Sequence, residues 1–286
     1  MGTNADKHAR QKQGRTARAQ EARKQMGRTK RRQRLMSITG GVLAVALVLG
    51  VLIALVQPSG SGSDSSTTTT TTETATTTTA NDRPAADLPA PPKGITLTNP
   101  TPCPPAGGTE KRVVKFAGPP PTCIDPDATY TATFSTNKGD FTAELDPKAA
   151  PVTTNNFVVL SRYGFYDGVP FHRIVPGFVI QGGDGDGDPW GNNDLGYSIP
   201  DELPPGPESY VDYSLAMANA GPDTNGSQFF VVLPGGGKQL NPANYSLFGK
   251  VVEGQKVVDE IGRLGNAEQK PTEAVVVEKV TIDEKK

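Results

Sequence analysis

The chain has 286 residues, enough for one domain with a sizeable core, and a formal net charge of -1. That near-neutral figure averages two opposite parts, because residues 1–34 carry twelve Lys/Arg against two acids and the remainder is acidic. Two cysteines lack the further His or Cys partners that zinc needs, and His172, the one histidine beyond the basic amino-terminal region, has no nucleophile-elbow pattern with it, which argues against Ser-His-Asp or Cys-His hydrolysis.

The basic tail over residues 1–34 has three readings: a topology signal, attraction to anionic lipid, or nucleic-acid binding. It has no aromatic residue on which a base could stack, so no nucleic-acid partner is expected. Leu35–Val56 follows without a single charge. At about 1.5 Å per residue it reaches roughly 33 Å, the span of a transmembrane helix. A cleaved signal peptide is the alternative, but the stretch is long for one, the basic region before it is extended, and no A-x-A-like site follows. Lys30-Arg31-Arg32 and Arg34 abut the span, so the positive-inside bias puts the amino terminus in the cytoplasm and everything after Val56 outside, on a single-pass anchor in the cell membrane.

Residues 57–94 form a tether of Ser, Gly, Thr and Pro, including eleven threonines between Thr67 and Thr79, with almost nothing apolar to bury. Its Thr- and Pro-rich composition suits O-glycan carriers. Residues 95–125 read as a loop-rich extension holding Cys103, Cys123 and the run Pro119-Pro120-Pro121. An extracytoplasmic position allows the two cysteines to form a disulfide, closing a loop of about 20 residues at a gain of roughly 3 kcal/mol. Two free thiols are the other reading.

The texture changes near residue 126, and residues 126–286 read as the globular domain. Tyr130–Thr136 and Asp140–Leu145 alternate around the turn Asn137-Lys138-Gly139 and predict a hairpin. Pro151 starts a helical pattern that runs to Tyr163, and Gln255–Gly262 predicts a second helix. Strand-like runs lie at Phe171–Ile174, Phe178–Gln181, Ser214–Ala218, Gln228–Leu233, Ser246–Val252 and Val275–Ile282. The expected fold is mainly β, a closed antiparallel barrel of about eight strands with two helices.

One acidic run, Asp184-Gly185-Asp186-Gly187-Asp188, looks like the start of a calcium loop. Position twelve is Leu195, without the bidentate Glu such a loop needs, so it is read as a solvated turn. The informative stretch runs Tyr166-Asp167-Gly168-Val169-Pro170-Phe171-His172-Arg173-Ile174-Val175-Pro176-Gly177-Phe178-Val179-Ile180-Gln181-Gly182-Gly183-Asp184. Two further blocks follow in order: Ala216-Met217-Ala218-Asn219-Ala220-Gly221-Pro222 into Asn225-Gly226-Ser227-Gln228-Phe229-Phe230, then Leu247-Phe248-Gly249-Lys250-Val251. Together they resemble the signature blocks of the cyclophilins, of a bacterial kind, over roughly Thr129–Asp283.

The resemblance implies an eight-stranded barrel capped by two helices and cis-trans isomerisation of X-Pro bonds, without cofactor or metal. Rotation about the peptide bond faces a barrier of about 18–20 kcal/mol because resonance is lost, but no bond breaks and no nucleophile is needed. A donor that hydrogen-bonds the prolyl nitrogen as its lone pair localises, plus a pocket gripping the ring, suffices. Arg173 matches the family's catalytic arginine. Phe178, Val179 and Phe230 match the apolar pocket, and Gln181, Gln228, Ala218 and Asn219 match the groups that hold the substrate's main chain. His172 is expected to point to the other face in a structural role.

Two departures stand out. The segment from Gly235 to Tyr245 lacks the Trp that many members carry on the pocket rim, and Tyr245 stands where the family often has His. Leu240 is expected to supply the apolar rim contact, although the Leu240–Tyr245 spacing is one residue long. Cyclosporin is therefore expected to bind only weakly. The expected partners are proline-containing segments of secreted or envelope proteins. A non-catalytic holdase using the same groove is the competing reading, and a tail that chiefly tethers a partner is a third. Intact Arg173 favours the enzyme.

Overall fold

The structure, a computed structural model, describes residues 83–187, 190–191 and 195–286. The basic tail, the apolar span Leu35–Val56 and the tether up to residue 82 lie outside the described residues. Among the described residues no helix is long and apolar enough to cross a membrane.

The elements run β1 (Ile95–Thr96), β2 (Val113–Lys115), β3 (Thr129–Thr136), β4 (Gly139–Leu145), α1 (Pro151–Arg162), β5 (Val169–Pro170), β6 (Arg173–Val175) and β7 (Val179–Gly182). They continue with β8 (Ser214–Met217), β9 (Phe229–Val232), β10 (Leu247–Glu253), α2 (Gln255–Gly262) and β11 (Val276–Lys285). The hairpin β3–β4 forms where alternation predicts it. Tyr130, Ala132 and Phe134 point into the core at 0% exposure, and Phe134 stacks on its cross-strand partner Phe141 at 4.6 Å.

Among the described residues the main sheet has nine strands in the order β5-β11-β3-β4-β10-β8-β9-β7-β6. This corrects the expected closed eight-stranded barrel: the sheet is curled and open, with no ladder joining β5 to β6. The expected strand Phe171–Ile174 is likewise divided, since Phe171 and His172 carry the chain from one edge strand to the other. The edges are satisfied in other ways. Pro170 has no N–H to offer a ladder, Phe171 N–H donates to Val275 O at 2.9 Å, and Ile174 N–H donates to Gln269 O at 3.0 Å. A loop thus covers the β6 edge that a closing strand would otherwise need.

Helix α1 opens on Pro151 at its first turn, where a missing N–H costs nothing. No neighbouring side chain caps it; the Glu202 carboxylate accepts from Val152 N–H at 3.0 Å and Thr153 N–H at 2.8 Å. Its Phe157 packs among Phe134, Tyr166, Phe229 and Phe248 in the main core. Helix α2 buries Val258 and Ile261 as its pattern predicts.

The stretch 83–125 runs along this body. Val113, Phe116 and Ile124 belong to the main core, and β1 pairs with β2 in parallel. Cys103 and Cys123 are joined by a disulfide. Residues 83–94, assigned by composition to the tether, are held at several points. Asn266 donates to Arg83 O at 3.2 Å, Ala86 N–H donates to Pro271 O at 2.8 Å, and the Arg112 guanidinium donates to Pro92 O.

Candidate active site

Four strands place the site by register. Arg173 of β6 pairs with Gln181 of β7, Gln181 with Phe230 of β9, and Phe230 with Ala216 of β8. These residues therefore form one row across the sheet. Alternation then separates two faces on the same strands. Ile174, Ile180, Phe229, Val231, Leu215 and Met217 enter the main core, while Val179, Phe230, Val232 and Ala216 build a second, smaller apolar cluster with Tyr210 and Leu240. Both faces being covered explains why β9 reads as the unbroken apolar run Phe229–Val232.

Over that second cluster lies a cleft of about 340 Å³. Its floor and walls include Phe178, Val179, Phe230 and Leu240, and Arg173, Gln181, Ala218, Asn219 and Tyr245 complete its lining. Gln228 belongs to an adjoining recess of about 230 Å³, which shares Gln181, Ala218 and Asn219 with the cleft and is also lined by Tyr197 and Thr224. All ten residues singled out from the sequence are thus brought together in two contiguous hollows.

The polar residues form a chain. Gln181 Oε1 accepts from Arg173 Nη1 at 3.1 Å, and Gln181 Nε2 donates to Gln228 Oε1 at 3.1 Å. On its other side Arg173 donates through Nε and Nη2 to Gln269 Oε1, at 2.9 and 2.7 Å. Burial draws the Arg173 pKa below its ordinary value, with Tyr245 opposing the shift, yet a guanidinium remains a cation at neutral pH. The arrangement offers a fixed charge and forked donors beside a hydrophobic trough. That suits stabilising a changing amide without breaking a bond.

The rim is held from a distance. Tyr210 hydroxyl donates to Tyr245 O at 2.6 Å and accepts from Tyr245 N–H at 3.0 Å, and Asn219 Nδ2 donates to Asn244 O at 2.9 Å. Tyr245 meets Phe230 edge-on, with centroids 5.3 Å apart. A Cβ at Gly236 or Gly237 would collide with Phe178 O or Tyr210 O, so only glycine lets the 3₁₀ turn Gly236–Gln239 lie close enough to bring Leu240 over the trough. Leu240 and Tyr245 both line the cleft despite their long spacing, and the Asn241–Pro242 peptide between them is cis.

Other expectations fall elsewhere. His172 sits in the link between edge strands, stacked on Trp190 with centroids 6.0 Å apart, and faces a neighbouring cavity that shares Arg173 with the cleft, rather than the cleft itself. Burial first, and the Arg173 charge second, lower its pKa to about 4, so it is neutral at pH 7. The solvated turn expected over Asp184–Asp188 is exposed at Asp186 but is corrected at Asp184. This residue is fully buried, and its carboxylate accepts from Gly187 N–H at 3.1 Å and from Gly191 N–H, folding the turn inward. Sequence reasoning missed Tyr210 and Gln269, neither of which lies in a motif block or a periodic run. A lone tyrosine after Pro207 and a glutamine in the loop after α2 carry no local signal.

A family model described as cyclophilin type peptidyl-prolyl cis-trans isomerase/CLD matches residues 131–282. The chain belongs to the cyclophilin-type peptidyl-prolyl cis-trans isomerase family. Among curated relatives, peptidyl-prolyl cis-trans isomerase A of Mycobacterium tuberculosis (strain ATCC 25618 / H37Rv) is 42% identical over 175 residues, covering 55% of this chain and 94% of the relative. A probable isomerase A of Mycobacterium leprae (strain TN) is 42% identical over 170 residues, covering 53% and 91%. Among solved structures, a Cryptosporidium parvum cyclophilin type isomerase is similar at TM-score 0.49 and 30% identity, covering 54% of this chain and 98% of its own. The matched region contains the whole Arg173–Tyr245 cleft, and the enzyme class is that of a cyclophilin-type isomerase.

Proposed function

We propose that this cyclophilin, of bacterial type, accelerates X-Pro isomerisation in proteins folding outside the cytoplasm, and that Arg173 is its catalytic residue. The observation that carries the reading is the Arg173 guanidinium at the edge of a trough floored by Phe178, Val179 and Phe230. A proline ring seated there puts its nitrogen within reach of a permanent donor. As the amide twists, the nitrogen lone pair localises and accepts a hydrogen bond that the planar amide cannot, so Arg173 favours the transition state over the ground state. Gln181, Gln228, Ala218 and Asn219 hold the main chain on either side, and Leu240 and Tyr245 close the rim. Weak cyclosporin binding belongs to the same proposal, since no tryptophan lines the cleft.

Replacing Arg173 with Ala should lower kcat/KM for a proline peptide by about 10²-fold, equivalent to about 2.7 kcal/mol of transition-state stabilisation, while peptide affinity changes far less. Phe178→Ala should weaken affinity and rate together. A folded Arg173→Ala variant with near-full activity in a protease-coupled assay would sink the catalytic assignment and favour a groove that only binds.

The extracytoplasmic setting rests on the uncharged span Leu35–Val56 and the basic residues before it, which support a single-pass anchor with residues 57–94 as tether, its last part from Arg83 held against the body.

A further inference from the structure

We infer that Gln269 is a positioning residue for the Arg173 guanidinium, an inference that rests on the reading of Arg173 as catalytic. Gln269 Oε1 alone accepts two of its N–H groups, at 2.9 Å from Nε and 2.7 Å from Nη2, while Gln181 takes Nη1 from the opposite side at 3.1 Å. The guanidinium is therefore gripped from both flanks, and its remaining donors are left for a bound peptide.

The backbone of Gln269 is unusual in a way that fits this task. Its φ is +63°, in the left-handed region where a residue with a Cβ is strained and glycine is at ease. Strain of this kind persists only where the surroundings enforce it, and its presence points to a use for the side chain. Main-chain bonds enforce it here. Gln269 N–H donates to Asn266 O at 3.0 Å, and Gln269 O accepts from Ile174 N–H at 3.0 Å, the residue next to Arg173 in β6. The loop has its own brace, because Asn266 Oδ1 accepts from Glu268 N–H at 3.0 Å and Lys270 N–H at 2.9 Å. Gln269 thus hangs from a rigid turn bolted to the strand that carries Arg173.

An arginine side chain has several freely rotating bonds, and a donor that must find its place at the moment of reaction stabilises a transition state poorly. Clamping from both sides pre-orients it. Gln269 is absent from the lining of the cleft and faces, beside Arg173, the adjoining cavity of about 650 Å³, so the clamp acts on the turnover step rather than on the seating of the proline ring.

Gln269→Gly separates this role from a purely structural one, because it deletes the amide, keeps both main-chain bonds and relieves the strained φ. In the full-length chain it should lower kcat/KM about tenfold, leave the Kd for a proline peptide within about twofold, and leave the thermal midpoint unchanged or raised. On an Arg173→Ala background the same change should have no further effect, since Gln269 acts only through that residue. The inference is overturned if Gln269→Gly keeps full kcat/KM while Arg173→Ala does not, if activity falls only in step with stability, or if the double variant loses a further tenfold. Full activity of Arg173→Ala itself would instead remove the catalytic reading beneath it.

Discussion

At the scale of single residues, His172 and Arg173 are neighbours with opposite electrostatic fates. The guanidinium keeps its charge, while the imidazole is pushed down to about pKa 4 by burial and by the adjacent cation. A second positive charge beside the catalytic candidate is thereby avoided. Linkage fixes the sign of the consequence: an unfolded histidine binds its proton near pH 6.5, so between about pH 6.5 and 4 the unfolded chain holds the extra proton. Stability from this group is complete above that window and declines as pH falls through it. His172→Phe, which keeps an aromatic ring against Trp190 but cannot titrate, should therefore show a smaller drop in Tm between pH 7 and pH 4.5 than the unsubstituted chain. Calorimetry at the two pH values checks this, and equal drops would refute it.

At the scale of elements, two devices stand out. The first is the use of both faces of β7, β9 and β8, one for the main core and one for the trough, so that a single stretch of strand serves folding and binding at once. The second is the extension over residues 95–125. Asn155 of α1 ties it down by accepting from Cys123 N–H at 2.7 Å and donating to Pro121 O at 2.9 Å, and Tyr163 donates to Pro102 O at 2.8 Å. The disulfide closes the loop that bears these contacts. Replacing both cysteines with serine should lower the unfolding free energy by about 2–3 kcal/mol in denaturant titrations. Activity per folded molecule should stay the same, because no residue of the extension lines the cleft. A loss of activity without a loss of stability would show that the extension serves the site.

At the scale of the whole molecule, the proposed arrangement is a catalytic body carried outside the membrane on a polar spacer. Protease added to intact cells should remove or shave the folded domain while sparing the basic tail. Recovery of the full chain from the soluble cytosol would end the proposal. The last residues of the proposed tether, 83–94, include Arg83 and Ala86, which are bonded to the body near the loop that bears Gln269, so the folded unit begins before the point where composition changes.

What the sequence determined on its own was the local and the patterned. Alternation set the β3–β4 hairpin, a proline and an apolar stripe set α1, and the motif blocks named Arg173, Phe178, Gln181 and Phe230, because each of these signals sits within a few residues of chain. Tertiary structure alone decided the rest, since it depends on groups far apart in sequence meeting in space. It left the sheet open where a closed barrel was expected, because a loop residue satisfies the β6 edge. It buried Asp184 by folding backbone donors onto its carboxylate, capped α1 with Glu202, set Tyr210 beneath the rim and brought the exposed Gln269 beside Arg173. Such contacts leave no period or spacing in the chain: a hydrogen bond between residues 173 and 269 is written only in the fold that brings β6 and the loop after α2 together.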